Sequence, residues 1–120
     1  MRIWIPTKFP NLNDYVNRER ANRFAGAKMK KDWTRLVESA SILALELGQK
    51  YDGFYPATIH FIIHEPNKRR DVDNVSAFVG KVSLDGMVKA GVLPDDSQKY
   101  VKKIIYDVVV DGEVGVEILL

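Results

Sequence analysis

The stretch ATIHFIIHEPNKRRDVDNV, residues 57–75, joins a predicted strand to a predicted helix through a basic loop. Its first part is rich in β-branched residues and alternates, with Ile59, Phe61 and Ile63 on one face. This alternation is typical of a strand that is buried on one side. The polar run EPNKRR that follows, residues 65–70, predicts a loop. The stretch therefore places a strand end, a loop and a helix start next to one another.

His60 and His64 lie on the opposite face of the same predicted strand. Two imidazoles at this spacing are suited to a metal site, but the sequence offers no third ligand near them. We therefore expect both histidines to have structural roles.

The segment after the loop has the start and stop signals of a helix. Asp73 or Asn74 is a favourable N-cap, and we expect the helix to run to Lys89 or Ala90. Gly91 suits the left-handed position that follows a helix, and a nearby proline prevents a restart.

The remaining segments predict three strands and one helix. Residues 2–6, RIWIP, form a short edge strand that ends at a proline. The punctuation of residues 7–26 by Pro, Asn and Gly predicts a long irregular segment. Apolar residues then recur with a helical period, which predicts a helix over about residues 27–50. Residues 98–110 and 116–120 predict two strands that the turn DGEVG joins as a hairpin.

The predicted order of elements is β-α-β-α-β-β. This order indicates an α/β (α+β) two-layer fold, with two helices on a small mixed sheet. At 120 residues the chain corresponds to a single domain, residues 1–120. It has no cysteine, which excludes disulfides and cysteine-ligated zinc. No apolar run approaches the roughly 20 residues of a membrane span, and we expect a cytoplasmic protein.

Positive charge is concentrated in residues 18–35, although the net charge of the chain is only +2. This segment holds seven Lys or Arg residues against two acidic ones. Such a cluster favours a polyanionic partner, but a solvated helix face would have the same composition, and both interpretations remain open. The residues that we expect to contact phosphate are Arg18, Arg20, Arg23, Lys28, Lys30, Lys31 and Arg35.

Two acidic pairs flank the second predicted helix, Asp71 with Asp73 before it and Asp95 with Asp96 after it. Acids at a helix start are also ordinary caps, so an Asp-x-Asp pair alone does not indicate a site. Here three consecutive cationic residues precede the first pair, and carboxylates beside cations are what Mg²⁺-assisted phosphodiester hydrolysis requires. The cationic residues that we expect beside the metal are Lys68, Arg69 and Arg70.

The motif NKRRDVDNV, residues 67–75, followed by KAGVLPDDSQ, resembles the RusA-type Holliday junction resolvase family. The upstream run PNLNDYVNRERANRFAGAKMKKDW is similar to that of phage and Gram-positive members. The resemblance implies a small endonuclease that uses Mg²⁺, with Mn²⁺ as a substitute, and cuts four-way DNA junctions as a homodimer. It implies that the essential carboxylates and metal ligands are Asp71, Asp73 and Asp96, with Asp95 as a lesser or alternate one.

Two other functions also remain open. The first is a metal-dependent nuclease of the same fold that acts on flaps or other branched DNA. The second is a DNA-binding protein without catalysis, in which the aspartates cap a helix.

The family pattern has an important lysine three residues after its Asp-x-Asp-Asn, where this chain has Ala77. The first lysine here is Lys81, which we assign as the catalytic cation that balances charge in the transition state. The extra four residues rotate a helix by only ~40° and add ~6 Å of rise, so Lys81 keeps nearly the same facing. An i,i+4 pair with Asp85 is the alternative role.

The second predicted helix is long enough to separate the two acidic pairs. As one straight helix, residues 73–90 span ~25 Å, which is too far for both pairs to share an ion. Either the helix breaks near Gly80 or a second chain completes the site. One apolar face of the helix suits the sheet, and we expect the other to be a two-fold dimer interface. This interface consists of Ala77, Gly80, Leu84 and Val88.

Two aromatic residues in the basic region are candidates for contacts with unpaired bases. Tyr15 and Phe24 would stack on bases at the centre of a junction, as aromatic side chains do on single strands. For Phe24 we expect packing in the core instead.

Overall fold

The computed structural model describes residues 1–120 and contains four strands and three helices. In chain order these are β1 Arg2–Ile5, α1 Leu12–Ala21, α2 Arg23–Glu46, β2 Ala57–His64, α3 Val72–Ala90, β3 Val101–Val109 and β4 Gly115–Leu119. The strands form one sheet in the order β1-β4-β2-β3. β4 runs antiparallel to both β1 and β2, whereas β3 runs parallel to β2.

The α/β (α+β) fold with a mixed sheet is confirmed, although it has three helices and not the predicted two. Ile59, Phe61 and Ile63 of the central strand β2 are buried, as their alternation predicted. They belong to one apolar cluster with residues from α2, α3 and the other strands. The removal of these side chains from water is the main force that holds the helical layer on the sheet.

The prediction that residues 7–26 are irregular was wrong, because they contain α1 and the start of α2. The Asn11 side chain accepts a hydrogen bond from the Asp14 backbone N–H at 2.8 Å, and the Asp14 carboxylate accepts one from the Asn11 backbone N–H at 3.0 Å. This reciprocal capping box starts α1. Asn22 starts α2 in a similar way and accepts from the Phe24 backbone N–H at 2.9 Å. The asparagines that indicated a loop are helix caps.

α1 packs closely against α2, and a glycine makes this approach possible. A Cβ atom on Gly26 would lie 2.7 Å from the Cα atom of Glu19, which is too close for any side chain. The two helices therefore form a tight hairpin that adds to the helical layer.

The predicted β3–β4 hairpin was also wrong, because β2 lies between these two strands. β2 is buried along most of its length, so it takes the central position with a neighbour on each side. The connection from β3 to β4, residues 110–114, must then cross over the end of β2. Gly112 in this connection has a φ of 91°, a left-handed conformation that glycine adopts without strain.

α3 is one continuous helix of 19 residues, so the break considered near Gly80 does not occur. Gly91 follows it with a φ of 85°, as predicted for a left-handed cap. A Cβ atom on Gly86 would lie 2.7 Å from the Val37 Cβ atom, which shows how closely α3 packs against α2. None of the three helices has the length and apolarity needed to span a membrane.

Candidate functional site

Asp71 and Asp73 lie at the N-terminus of α3, next to the ends of the parallel strands β2 and β3. Asp71 occupies the N-cap position, but its side chain makes no capping hydrogen bond. Asp73 lies in the first turn and is exposed. Since a capping aspartate would accept a hydrogen bond from the helix, capping does not explain Asp71. Its carboxylate oxygens are free to bind another group.

A buried ion pair fixes the loop that leads to Asp71. Glu65 is only 3% exposed, and Arg70 donates to both of its carboxylate oxygens at 2.7 Å. This bidentate geometry is among the strongest that arginine forms. The sequence predicts that Arg70 contacts DNA phosphate, but in the structure its guanidinium is held by Glu65. Lys68 and Arg69 in the same loop are exposed.

Asp95 and Asp96 are exposed in the loop after α3, at the opposite end of that helix. Hydrogen bonds from the Asp96 backbone N–H and from the Ser97 side chain lower the pKa of Asp95. The same loop leads to Tyr100, whose carbonyl oxygen accepts from the Ala57 backbone N–H at the start of β2. The second acidic pair is therefore at the end of the sheet away from Asp71.

A single chain does not bring the predicted metal ligands together. With 19 residues, α3 separates its two ends by about 27 Å at 1.5 Å per residue. Asp71, Asp73 and Asp96 do not form a cluster within metal-binding distance in one protomer. Of the two arrangements considered from the sequence, the broken helix is excluded.

Lys81 is exposed on α3 and does not pair with Asp85, the partner considered as an alternative. Asp85 instead lies 3.6 Å from the Nζ atom of Lys30. The Lys81 ammonium is 6.0 Å from the centre of the Tyr15 ring, which is a weak cation–π distance. No acidic side chain neutralises Lys81.

The predicted dimer face is only partly available to a second chain. Gly80 is buried, and a Cβ atom there would overlap the hydroxyl oxygen of Tyr106 in β3. The close approach that Gly80 allows is thus used within the chain, and Gly80 offers no exposed surface to a second one. Ala77 is exposed, and Leu84 and Val88 are half-buried.

The predicted basic segment lies on α1 and α2, and most of its side chains are exposed. Two of its lysines are partly neutralised, since Lys28 pairs with Asp32 at 2.6 Å and Lys30 with Asp85. The remaining residues form no ion pair. They are Arg18, Arg20, Arg23, Lys31 and Arg35.

A groove of about 360 Å³ lies between α1, α2 and α3 and contains part of this basic segment. Lys89 of α3 lines it too and was not among the predicted basic residues. The spacing of Lys81, Asp85 and Lys89, each four residues apart, was the available signal, because it places all three on one side of the helix. The residues of the groove are Tyr15, Glu19, Arg23, Ala27, Lys30, Lys31, Thr34, Asp85 and Lys89.

The two aromatic candidates differ in their surroundings. Phe24 is 76% exposed, so the prediction that it packs in the core was wrong. Tyr15 packs against Phe78 at 5.8 Å between ring centres. A hydrogen bond with Glu19, aided by partial burial, raises the pKa of Tyr15.

The two histidines of β2 do not share a site, and each pairs with a different aspartate. His60 Nε2 lies 2.6 Å from Asp107 Oδ2, and His64 Nδ1 lies 2.9 Å from Asp111 Oδ2. The hydrogen bond with His64 is the main cause of a lowered pKa at Asp111.

Comparison with known proteins identifies the family of the chain. The sequence model of the family described as endodeoxyribonuclease RusA matches residues 6–120. The chain belongs to the RusA family. The predicted resemblance to this family is therefore confirmed, and the RusA family is one of endodeoxyribonucleases. No curated protein matches the chain.

Proposed function

We propose that this RusA family member is a Mg²⁺-dependent endonuclease that resolves four-way DNA junctions by paired cuts, acting as a homodimer. The observation that carries the proposal is the unbroken α3, which holds Asp71 and Asp73 at one end and leads to Asp96 beyond the other. Because one chain leaves these carboxylates apart, a two-fold partner is the arrangement that supports a complete site.

The edge of the sheet supports a specific dimer. β3 is an edge strand, so one row of its backbone N–H and C=O groups has no strand partner. Tyr106 lies beneath Gly80, so α3 lies above this edge. A two-fold axis beside β3 would set the two β3 strands antiparallel, with the two α3 helices antiparallel above them. Each Asp73 would then approach Asp96 of the partner subunit.

The side chains available at these positions fit Mg²⁺. This hard ion prefers oxygen ligands and retains several waters, which suits exposed carboxylates better than a closed cage. Asp71 and Asp73 would hold the ion together with the partner's Asp96, and Asp95 is the alternate ligand. When bound, the ion would polarise the scissile phosphate and lower the pKa of an attacking water.

The surrounding cations would position the DNA. Lys68 and Arg69 flank the acidic pair and are exposed, so they would contact phosphates next to the cut. Lys81 has no acidic partner and would balance charge on the transition state. The groove between the three helices, with Arg23, Lys31 and the other basic residues of α1 and α2, would follow a second arm of the junction. Such contacts weaken steeply as salt rises.

Mixing two inactive variants tests the shared site. Asp73→Asn and Asp96→Asn chains, co-refolded with different tags, give heterodimers in which one of the two shared sites keeps every carboxylate. We expect these heterodimers to nick a plasmid-borne four-way junction in Mg²⁺ without resolving it, so the plasmid becomes a nicked circle. The wild-type homodimer should cut both strands and give a linear product.

Each variant homodimer is the control and should be inactive. If the mixed dimers do not cut, the shared site is wrong. Wild-type cuts confined to flaps would indicate a nuclease for other branched DNA. Binding without cuts in any divalent ion would indicate a DNA-binding protein and sink the proposed catalysis.

A further inference from the structure

A second group of potential metal ligands lies outside the acidic pairs described above. His64 at the end of β2 meets Asp111 and Glu113 of the β3–β4 connection, and one ligand atom from each lies within 4.8 Å of the other two. His64 Nδ1 is 3.1 Å from Asp111 Oδ1 and 2.9 Å from Oδ2. No other group of three or more His, Asp or Glu residues in the chain is close enough to hold an ion.

The fold itself brings these residues together. Because β2 lies between β3 and β4, the connection between the latter two crosses the end of β2, where His64 stands. The Glu113 backbone N–H donates to Asp111 Oδ1 at 3.1 Å, which sets the turn that carries both carboxylates. The Trp4 ring packs edge-on against the imidazole, at 5.4 Å between centres. His64 is only 8% exposed, so its ring has little freedom to turn away.

The charge of this cluster is not balanced. Asp111 pairs with His64 alone, and neither Asp111 nor Glu113 forms an ion pair with any lysine or arginine. Two carboxylates therefore face one imidazole, which offsets at most one negative charge. A divalent cation would neutralise both.

We propose that His64, Asp111 and Glu113 bind a divalent transition-metal ion that clamps the β3–β4 connection to the end of β2. Ligand atoms around Zn²⁺ lie about 2.0–2.2 Å from the metal, which puts neighbouring ligands about 3–3.5 Å apart. The His64–Asp111 distances already meet this spacing, and a small movement of the Glu113 side chain on its exposed turn completes the set. The site belongs to one protomer and does not depend on the proposed junction cleavage.

The ligand types distinguish this site from the one proposed at Asp71. An imidazole with two carboxylates suits Zn²⁺, Co²⁺ or Mn²⁺, whereas Mg²⁺ favours oxygen ligands and water. Selectivity for Zn²⁺ and Co²⁺ over Mg²⁺ is thus the signature of the cluster.

Trp4 provides a direct probe, because its ring contacts His64. Addition of Co²⁺, a fluorescence quencher, to the full-length protein should quench tryptophan emission with a saturating curve, and Mg²⁺ should not. His64→Gln and Glu113→Gln should each raise the Co²⁺ concentration for half-quenching by about tenfold or more, since each removes a ligand. Trp4→Phe should remove most of the quenching and leave the signal of Trp33.

Two further measurements make the result decisive. Zn²⁺ should raise the Tm of the wild type but not that of Glu113→Gln, a turn variant that leaves the buried histidine intact. Asp73→Asn should quench like the wild type, which separates this cluster from the proposed nuclease site. Equal Co²⁺ affinity in wild type and Glu113→Gln, or loss of binding in Asp73→Asn alone, would overturn the proposal.

Discussion

At the scale of single residues, position and partner together determine what a charged side chain does. Asp71 has the position of a helix cap but makes no capping hydrogen bond. Arg70, the residue before it, has the position of a phosphate ligand but is held by the buried Glu65. Sequence position alone would assign Asp71 to the helix cap and Arg70 to phosphate binding. The structure decides otherwise, because only the fold shows which side chain faces the core.

Asp71→Asn should separate catalysis from stability. Asparagine is an equally good cap, so we expect the free energy of unfolding to change by less than about 1 kcal/mol, mainly through the lost charge at the helix N-terminus. DNA cleavage should fall by about a hundredfold or more, because a metal ligand contributes several kcal/mol of transition-state stabilisation. Urea denaturation and a junction-cleavage assay on the same preparation check both parts. A large loss of stability with retained cleavage would mean that Asp71 is only structural.

Arg70→Met should destabilise the protein strongly, because it leaves the Glu65 carboxylate buried without a partner. Loss of one member of a buried pair costs about 3–5 kcal/mol, which urea denaturation measures. The double variant Glu65→Met with Arg70→Met removes both charges and should recover much of this loss. Equal stability of the single and double variants would show that the unpaired Glu65 carboxylate is not the cause of the loss.

At the scale of helices and strands, small residues set the distances between elements. Gly26 brings α1 to α2, Gly86 brings α3 to α2, and Gly80 makes room for Tyr106 of β3. In each case the sequence shows a glycine in a helix, which ordinarily destabilises it by about 1 kcal/mol relative to alanine. The compensating contact is visible only when the partner element is in place.

Gly80→Ala tests the contact between α3 and β3. The new methyl group would overlap the Tyr106 hydroxyl, and we expect a loss of about 1–3 kcal/mol from overpacking despite the better helix propensity of alanine. Tyr106→Phe removes the hydroxyl and should restore part of the stability in the double variant. Thermal and urea unfolding of the wild type, the two single variants and the double variant complete the double-mutant cycle. A stabilised Gly80→Ala protein would contradict the contact.

Tyr106 also predicts a pH dependence. Burial raises the pKa of Tyr106, because the folded protein disfavours the charged phenolate. A group with a raised folded pKa contributes stability that is complete below its unfolded pKa, about 10, and is lost as the pH rises through the folded value. We expect wild-type stability to fall above about pH 10 and Tyr106→Phe to lose less. Identical alkaline profiles would exclude this role of Tyr106.

At the scale of the whole molecule, two features remain without a partner in one chain. The edge of β3 is unpaired, and the two acidic pairs lie at opposite ends of α3. Both features agree with the proposed two-fold dimer. One axis beside β3 would pair the two β3 edges and would bring the acidic pair of one chain to that of the other. Ala77 belongs to the predicted dimer face and is exposed in the single chain, so a second α3 packed on this face would cover it.

Ala77→Trp should therefore block dimer formation without unfolding the chain. The residue is exposed, so a large side chain has room in the protomer but not between two closely packed helices. Sedimentation should show a monomer, and its circular dichroism spectrum should match that of the wild type. The same protein should have lost junction cleavage. Ser39→Trp, at an exposed position of α2, is the matched control and should stay dimeric and active. A dimeric, active Ala77→Trp protein would place the interface elsewhere.

The sequence by itself determined the features that depend on local pattern. The burial of β2 and the cap of α3 at Gly91 follow from periodicity and backbone preference, and the acidic and basic motifs identified the RusA family. The start of α3 does not, because its N-cap is Asp71 and not the predicted Asp73 or Asn74. Residue types that are common in two kinds of structure gave wrong predictions. The asparagines of residues 7–26 indicated a loop, because asparagine is common in loops and at helix caps alike, but Asn11 and Asn22 are helix caps.

Only the tertiary structure decided how distant segments meet. Strand order depends on which strand gains most from burial on both sides, and this placed β2 between β3 and β4. That strand order carried Asp111 and Glu113 to His64, a grouping that no local sequence pattern could show. The contacts of Arg70 with Glu65 and of Gly80 with Tyr106 are likewise set by the tertiary structure. Which side chains touch depends on how the chain packs, and the spacing of residues along the sequence does not show it.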